Sequence, residues 1–317
     1  MGTVRYTGPG VYRPAVVPGA FMPLSCIYQI SHGDVQGLDA GFRVLDNRTN
    51  ERPDWFEYWP IRRFLLGTTL EEETLYGFLS PRFKSKTNLD ARAVASFLAL
   101  PAAAPDVVLF SPSLHLTAYY LNVFRYGEVC HPGLLRIASE FFERIGRPTD
   151  LTQLVTHSLN EVYSNYFLAK PRFWRAWLEV TEQLFEIAES PSGELGAALR
   201  RTTTYRGERN VQMKVFIIER IATFLLARER RFEVRVRDPF AARSRLYKVP
   251  GAIVCDALKR AYDTQERRAE LRELFPIISR ACRTLSWRLR LKAFLGFRRE
   301  RSCLDALALH WTQASES

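Results

Sequence analysis

The amino-acid sequence predicts an α/β fold in which a mostly parallel sheet is flanked by helices and followed by a helical C-terminal section. Two short apolar runs, 76–79 and 107–110, alternate with helical stretches, as buried strands of a parallel sheet do. Each run ends in Ser-Pro, at Ser80 and Ser111. Because proline cannot donate to a strand ladder and favours extended geometry at the residue before it, we expect both strands to stop there. From 251 to 296 the pattern is helical almost throughout.

The chain divides into three predicted sections. Residues 1–23 are rich in Gly and Pro, which predicts an extended arm. Residues 24–238 form the predicted α/β domain, and its first strand is expected over 24–30. Residues 239–317 form a basic helical section, because the alternation of strands and helices gives way to helices at that point.

The first helix is predicted from a capping signal. Asp54 precedes the apolar stretch 55–66, and Glu57 stands at its third helical position. This is the pattern of a capping box, in which both side chains bind free backbone N–H groups of the first turn. Capping is therefore one interpretation of Glu57, and a role in chemistry is the other.

The remaining elements follow from the same periodicities. Residues 38–53 are polar and rich in turn formers. We predict helices over 90–100 (beginning at Asn88 or Asp90), 133–145, 173–189 and 213–228, and strands over 151–157 and 232–236.

Composition excludes several classes of protein. The chain is 47% apolar, which is typical of a packed globular protein rather than a disordered one. It has no apolar run near the roughly 18 residues that span a bilayer, and no secretory signal is recognised at its start. Its five cysteines are dispersed, without a Cys-X-X-Cys pair. We expect reduced thiols in a cytoplasmic protein, with neither a disulfide framework nor a zinc site.

The net charge of +11 is concentrated near the C-terminus. Between Arg280 and Arg301 there are eight basic residues and one acid, Glu300. Such a segment can serve nucleic acid, anionic lipid or a phosphate-bearing substrate, but no nucleic-acid motif accompanies it, so we expect no nucleic-acid partner. Two interpretations stay open for 280–301: a helix on an anionic membrane surface, and a helix that packs on the domain and leaves its charges in water.

The carboxyl ends of the predicted strands are the expected ligand site. In open α/β sheets, ligands bind just outside those ends. Directly after Ser80 comes the cationic turn 82–87, which is rich in hydrogen-bond donors. We therefore expect a nucleotide pocket where strands 24–30, 76–79 and 107–110 end.

Six segments carry a resemblance to a known family. They are LDAGFRVLDN (38–47), RPDWFEYWPIRRFLL (52–66), YGFLSPRFKSKTNL (76–89), DVVLFSP (106–112), GEVCHPGLL (127–135) and SNYFLAKPRFWRAWL (164–178). Together they resemble a family of uncharacterised bacterial proteins from polysaccharide-synthesis gene clusters, over most of residues 26–236. The layout is similar to GT-A-type glycosyltransferases, in which a Rossmann-like sheet binds a nucleotide-sugar.

The resemblance implies a function. A sugar would pass from a nucleotide-sugar to a surface polysaccharide or a lipid-linked acceptor, in the cytoplasm or on the inner membrane as a peripheral protein. From another class of function, the alternative is a non-catalytic scaffold of a polysaccharide-assembly complex.

The polar strand ends and the clustered cations suggest donor-binding residues, and the resemblance implies the acceptor-side ones. The donor-binding candidates are Gln29, Arg62, Ser80, Lys84, Lys86, Thr87 and Ser111, and the acceptor-side candidates, from the Asn-Tyr-Phe-Leu-Ala-Lys-Pro segment, are Asn165, Tyr166 and Lys170. No Asp-X-Asp pair follows a predicted strand, which departs from the metal-dependent members. No metal ligand is assigned, and a divalent ion stays an open alternative. Clustered cations can stabilise a departing diphosphate in its place.

Glycosyl transfer also needs a base for the acceptor hydroxyl. The carboxylates and the histidine that could serve are Glu57, Glu128, His131 and Glu219. We assign the catalytic role to Glu57, Glu128 and His131. Glu128 and His131 are near each other in sequence and could act as base and orienting group, and helix capping or packing is their alternative.

Overall fold

The computed structural model describes residues 24–33, 37–112, 114–205, 209–240, 249–263 and 268–294. The predicted arm, 1–23, and the last part of the basic segment, 295–301, lie outside these residues. For 286–294 only the backbone is described. The interleaved aromatic and basic side chains predicted to lie on a membrane, from Trp287 to Arg299, therefore fall outside the described part.

The fold is α/β with a six-stranded mixed sheet, as predicted. The strands are β1 (Ser25–Ser31), β2 (Arg43–Asp46), β3 (Leu75–Leu79), β4 (Val107–Leu109), β5 (Phe167–Ala169) and β8 (Val234–Val236), and a separate hairpin holds β6 (Thr202–Tyr205) and β7 (Arg209–Gln212). The sheet order is β2-β1-β3-β5-β4-β8. Within this six-stranded sheet every pairing is parallel except those of β5, which is antiparallel to both of its neighbours.

Helices cover both faces of this sheet. They are α1 (Tyr58–Gly67), α2 (Phe83–Thr87), α3 (Ala91–Leu98), α4 (Leu114–Thr117), α5 (Val123–Cys130), α6 (Leu134–Arg144), α7 (Pro171–Glu189), α8 (Glu194–Arg200), α9 (Met213–Arg228), α10 (Val249–Asp263) and α11 (Arg268–Phe294). In β3, Tyr76 and Phe78 point into the large core built with α1, α7 and α9. Leu75 and Leu79 point into the smaller core built with α3. This alternation is the period of two of a strand that is covered on both faces.

The centre of the sheet is packed so closely that a side chain at Gly77 would require Leu168 to move. A Cβ atom there would lie 2.1 Å from Cδ2 of Leu168, on the neighbouring β5. All five residues of β3 are buried, which fits a strand with neighbours on both edges and helices on both faces.

Several local predictions are wrong. Residues 151–157 form no strand; Leu151 and Val155 are buried, but Thr156 directs its backbone N–H to the Leu121 carbonyl in a loop. The turn-rich stretch 38–53 also contains a strand that the sequence did not indicate, β2, which pairs with β1 at one side of the sheet and is largely exposed. An edge strand of this kind lacks the apolar run on which the sequence prediction depended.

The predicted capping box is also wrong. The helix begins at Tyr58, and Glu57 stands at its N-cap position without a capping hydrogen bond. Asp54 lies in a preceding 3-10 turn and binds Lys214. Helix α3 does begin as predicted, because the Asp90 side chain accepts a hydrogen bond from the Ala93 N–H.

The C-terminal helices are packed onto the α/β part by buried polar contacts. Lys259 on α10 is buried and donates to the carbonyls of Thr117 and Tyr120, at 3.3 and 3.1 Å. Asp256 accepts hydrogen bonds from the backbone and the hydroxyl of Ser158. Among the described residues, no helix has both the length and the apolar character that a membrane crossing requires.

Candidate functional site

The register of the sheet brings three chain segments to the end of the sheet where β3 and β4 finish. We call this end the carboxyl edge. Gly77 of β3 and Val108 of β4 both pair with Leu168 of the central β5. Ser80 and Ser111 therefore follow their strands at the same edge. Because β5 runs in the opposite direction, the residues before it, Asn165 and Tyr166, also lie there.

Glu57 is the titratable group at the centre of this edge. The Asn165 side-chain amide donates to Glu57 Oε2 at 2.5 Å. Glu57 is half-buried, yet its carboxylate is densely surrounded by protein atoms. This burial raises the pKa of Glu57 to about 7; a hydrogen bond from Ser80 opposes the shift, and the nearby charge of Glu219 adds to it.

Backbone strain is concentrated at the same contact. Phe56 has φ 49° and Ser164 has φ 51°, a region that side chains other than Gly, Asn and Asp avoid. Each of these residues directly precedes one partner of the Glu57–Asn165 hydrogen bond. The other described residues with positive φ, glycine aside, are both asparagines, which tolerate it. Strain of this kind, at about 1–3 kcal/mol per residue, is typical of functional sites.

A second carboxylate reaches this edge from α9. Thr223 accepts a hydrogen bond from the Val162 N–H at 2.9 Å, which fixes α9 beside the segment 162–165. Glu219 lies one turn earlier, on the same face of α9 as Thr223. The Glu219 side chain is exposed to solvent, although protein atoms surround its carboxylate. Burial raises the pKa of Glu219, and the charges of Arg220 and Lys86 act against this shift.

The cationic turn forms the other side of the edge. It folds as α2, where Arg82 and Lys84 are exposed. Lys86 Nζ lies 5.5 Å from the ring centroid of Tyr163 and 5.6 Å from that of Tyr166, within cation–π range. Burial raises the pKa of the Tyr166 hydroxyl; Ser80 is close enough to oppose the shift, but that hydroxyl makes no hydrogen bond of ordinary geometry within the described ranges.

Three predicted donor residues hold the backbone instead of facing a ligand. Gln29 donates to the carbonyls of Ser80 and Pro81 and accepts from the Asp39 N–H. The Thr87 hydroxyl donates to the Phe83 carbonyl inside α2. Ser111 joins the carbonyl of Glu161 to the N–H of Tyr163. Because all three predicted side chains are buried and hydrogen-bonded, they shape the edge rather than form its surface.

Two predicted cations lie away from this edge. Arg62 on α1 binds Glu182 of α7 through two 2.7 Å hydrogen bonds, and its guanidinium lies 4.3 Å from the Phe185 ring centroid. Lys170 follows β5 at the opposite edge of the sheet and pairs with Glu73. The predicted acceptor segment is thus divided between the two edges.

Glu128 and His131 do not form the predicted pair of general base and orienting group. Glu128 accepts hydrogen bonds from the N–H groups of Gly133 and Leu135, both at 2.8 Å, and so caps α6. His131 is buried, and its ring stacks on Phe216 with centroids 3.6 Å apart. The alternatives of capping and packing describe these two residues.

One sequence signal could have given more weight to Glu219. Between Met213 and Leu226 on α9, every residue is buried except Glu219 and Arg220. A pair of charged residues that is not buried, in a helix stretch that otherwise is, calls for a structural or functional explanation. Arg220 has one, because its guanidinium donates to the carbonyls of Val123 and Phe216.

The described residues contain no group of three or more His, Cys, Asp or Glu side chains arranged to hold a metal ion. Comparison with known proteins also gives no match: no protein-family model, curated protein or solved structure matches the chain. Any assignment of function therefore depends on the residues at the carboxyl edge.

Proposed function

We propose that the protein is a GT-A-like glycosyltransferase that moves a sugar from a nucleotide-sugar to an acceptor hydroxyl, with Glu57 as the general base. The observation that carries the proposal is the state of Glu57. Its pKa lies near 7, it is bound by Asn165, and a strained residue stands beside each of the two. A general base works best when its pKa is close to the working pH.

The chemistry requires one base and one group of cations. Glu57 takes the proton of the acceptor hydroxyl, and the acceptor oxygen forms a bond to the anomeric carbon. The bond between that carbon and the donor phosphate oxygen breaks, and the nucleoside diphosphate, or CMP in the case of a CMP-sugar, leaves with the electron pair. Arg82, Lys84 and Lys86, on the other side of the edge, supply positive charge for the departing diphosphate.

The fold supports this proposal in a general way. A mostly parallel sheet binds ligands outside the carboxyl ends of its strands, and Glu57 and Lys86 are found at that edge. The antiparallel β5 adds Asn165 and Tyr166 to the same place. The resemblance of the sequence to polysaccharide-cluster proteins gives the acceptor class, a surface glycan or a lipid-linked glycan.

The test begins with ligand binding. UDP-, GDP-, CMP- and dTDP-sugars are added separately, and the melting temperature is measured. A true donor at about 100 times its dissociation constant adds roughly 2.7 kcal/mol to the free energy of unfolding. If none of these donors stabilises the protein, the proposal fails.

Turnover is then measured with the donor that binds. Glu57→Gln should keep donor binding but lose about 10²–10⁴-fold in rate, since it cannot accept the proton. Glu143→Gln, at an exposed carboxylate of α6, is the matched control and should leave the rate unchanged. Full activity in Glu57→Gln would remove the base from this mechanism.

One observation favours the scaffold function. On α11, Leu274, Ile277 and Leu285 are 44%, 66% and 56% exposed and lie along one side of the helix. A scaffold would use such a face for a protein partner. Donor binding and turnover by the wild type would rule out a purely non-catalytic role.

The same face of α11 suits a location on the inner membrane. Arg280 is exposed on α11 one turn after Ile277, and Arg288, Arg290 and Lys292 follow in the sequence without an intervening acid. The guanidinium of Arg283, by contrast, lies over the Tyr120 ring, 5.4 Å from its centroid. Cations near an anionic surface contribute about 1 kcal/mol each. We expect binding to phosphatidylglycerol vesicles that falls with added salt and that Ile277→Ser and Leu285→Ser weaken. Equal pelleting with neutral vesicles, or none with either kind, would contradict it.

A further inference from the structure

The segment that carries Asn165 is fixed by other groups on both sides. Before Asn165, the N–H of Val162 donates to the Thr223 hydroxyl at 2.9 Å, and that hydroxyl donates back to the Val162 carbonyl at 3.3 Å. After Asn165, the chain enters the central strand β5 at Phe167. The side-chain amide is therefore not needed to hold this segment, and its hydrogen bond to Glu57 calls for another explanation.

The backbone is strained on both sides of that hydrogen bond. Asn165 follows Ser164, which has φ 51°, and Glu57 follows Phe56, which has φ 49°. These two turns set the direction in which each side chain leaves the backbone, and the Asn165 amide reaches Oε2 of Glu57 at 2.5 Å. A contact that depends on two unfavourable backbone conformations is typical of a functional position rather than of ordinary packing.

The contact restricts the Glu57 carboxylate without neutralising it. The Asn165 amide donates an N–H but carries no charge, so the carboxylate can still take up a proton. An ionised carboxylate has about four acceptor positions, so the hydrogen bonds from Asn165 and Ser80 leave positions for an acceptor hydroxyl. A cation in place of Asn165 would lower the pKa of Glu57 and make it a poor base near neutral pH.

We propose that Asn165 is the positioning residue of the reaction, because its side-chain amide holds one oxygen of Glu57 and orients the rest of the carboxylate toward the acceptor hydroxyl. This inference rests on the proposed function. The proton that leaves the acceptor hydroxyl passes to a carboxylate position that Asn165 does not occupy. Orientation of this kind matters for the rate, since an error of about 1 Å in placing a reacting group can cost about 100-fold.

Two variants separate orientation from packing. Asn165→Leu keeps nearly the same volume and excludes water, but it removes the donor. Asn165→Asp keeps the shape and replaces the donor with a second carboxylate. Gln153→Leu, at an exposed side-chain amide, is the matched control. All of them retain the charged groups that act on Glu57, which are Glu219, Lys86 and Arg82.

The first measurement follows the protonation of Glu57 in the full chain without a ligand. The infrared band of protonated carboxyl groups is recorded against pH, and the part that disappears when Glu57→Gln is added belongs to Glu57. Loss of a hydrogen bond to the ionised form should move this titration upward by about one to two pH units in Asn165→Leu. In Asn165→Asp, two carboxylates in contact share a proton, so their titration should also move upward.

The second measurement uses the UDP-, GDP-, CMP- or dTDP-sugar that stabilises the wild type. Each protein is assayed at its own pH optimum, which separates orientation from the shift in protonation. In Asn165→Leu we expect kcat to fall about 10–100-fold, because the base is no longer held in place. The dissociation constant of the donor, measured by calorimetry, should stay unchanged, since the amide contacts Glu57 rather than the cations on the other side of the carboxyl edge.

Each outcome has a distinct meaning. If no donor binds the wild type, the proposed function fails and the inference fails with it. If the wild type binds and turns over a donor, but Asn165→Leu keeps the wild-type kcat or the wild-type titration of Glu57, only the inference is overturned. An equal loss of donor affinity and kcat in both Asn165 variants would also overturn it, because that result indicates damage to the fold. Gln153→Leu should match the wild type throughout.

Discussion

Two charged clusters are centred on carboxylates only three residues apart in the chain, and the pKa values of these two carboxylates shift in opposite directions. The first is centred on Asp54, which accepts hydrogen bonds from Lys214 at 2.6 Å and from Arg52 at 3.0 Å. Burial alone would raise the pKa of Asp54, but these hydrogen bonds lower it. The second is centred on Glu57, three residues later, whose pKa is raised to about 7.

The difference lies in pairing rather than in burial. In the Asp54 cluster, Lys214 lies 3.9 Å from the Trp55 ring centroid, and Glu189 binds both Arg52 and the Trp55 indole. Every charge there has an opposite charge beside it. At Glu57 the hydrogen-bond partners, Asn165 and Ser80, are neutral, and the charge of Glu219 raises the pKa further. A paired cluster holds a fold together, whereas an unpaired one is available for a ligand or a proton.

Lys214→Met should give the largest effect on stability. Lys214 is only 1% exposed, and its removal leaves Asp54 and Glu189 short of one cation. We expect a loss of about 3 kcal/mol in the free energy of unfolding, measured in urea. Lys84→Met, at an exposed position, is the control and should change it by less than about 0.5 kcal/mol. Equal effects would mean that the Asp54 cluster is not structural.

Glu57→Gln should give the next effect, with a sign that depends on pH. The folded pKa of Glu57, about 7, lies above the ordinary value of 4.5 for a glutamate, so the folded state favours the protonated form. The wild type should therefore lose stability relative to Glu57→Gln as the pH rises from about 4.5 to 7. Since Glu57 is half-buried and partly hydrogen-bonded, we expect a difference of about 2 kcal/mol. Denaturation at pH 5 and pH 8 measures it, and a constant difference would contradict the raised pKa.

The sequence predicted β3 and β4 because burial on both faces leaves a continuous apolar run. These two strands and β1 lie close to their predicted ranges. It did not predict β5, since the three residues Phe167–Ala169 are too few to show a period, and their antiparallel direction depends on tertiary packing. The edge common to Ser80, Ser111 and Asn165 follows from that direction.

The candidate site was predicted only in part, for a related reason. The cationic turn and Asn165 were recognised from their place in the sequence. Glu57 was recognised as a candidate, but its local pattern is equally that of a cap. Its contact with Asn165 joins positions 108 residues apart, and the positive φ of Phe56 and Ser164 is not encoded in any short motif. Tertiary structure excludes the capping box, and the role of Glu57 in chemistry stays a proposal.

The smallest effect on stability is expected from the cations opposite Glu57. Lys84→Ala with Lys86→Ala should change the free energy of unfolding by less than about 0.5 kcal/mol for each residue. The same double variant should weaken donor binding about 10-fold, because charge-assisted contacts to the diphosphate are lost. Wild-type donor affinity in the double variant would mean that the two lysines are ordinary solvated surface residues without a role in donor binding.

Variants of Lys86 and Glu219 test the electrostatics around Glu57 directly. The charge of Lys86 lowers the pKa of Glu57, and the charge of Glu219 raises it. Because only the ionised Glu57 accepts a proton, activity should rise with pH through that pKa. Lys86→Ala should move this rise to higher pH, and Glu219→Gln should move it to lower pH. Rate profiles at saturating donor separate the two shifts from binding. Shifts in the same direction would show that the two charges do not act through Glu57, and the contrast with the paired Asp54 cluster would lose its functional meaning.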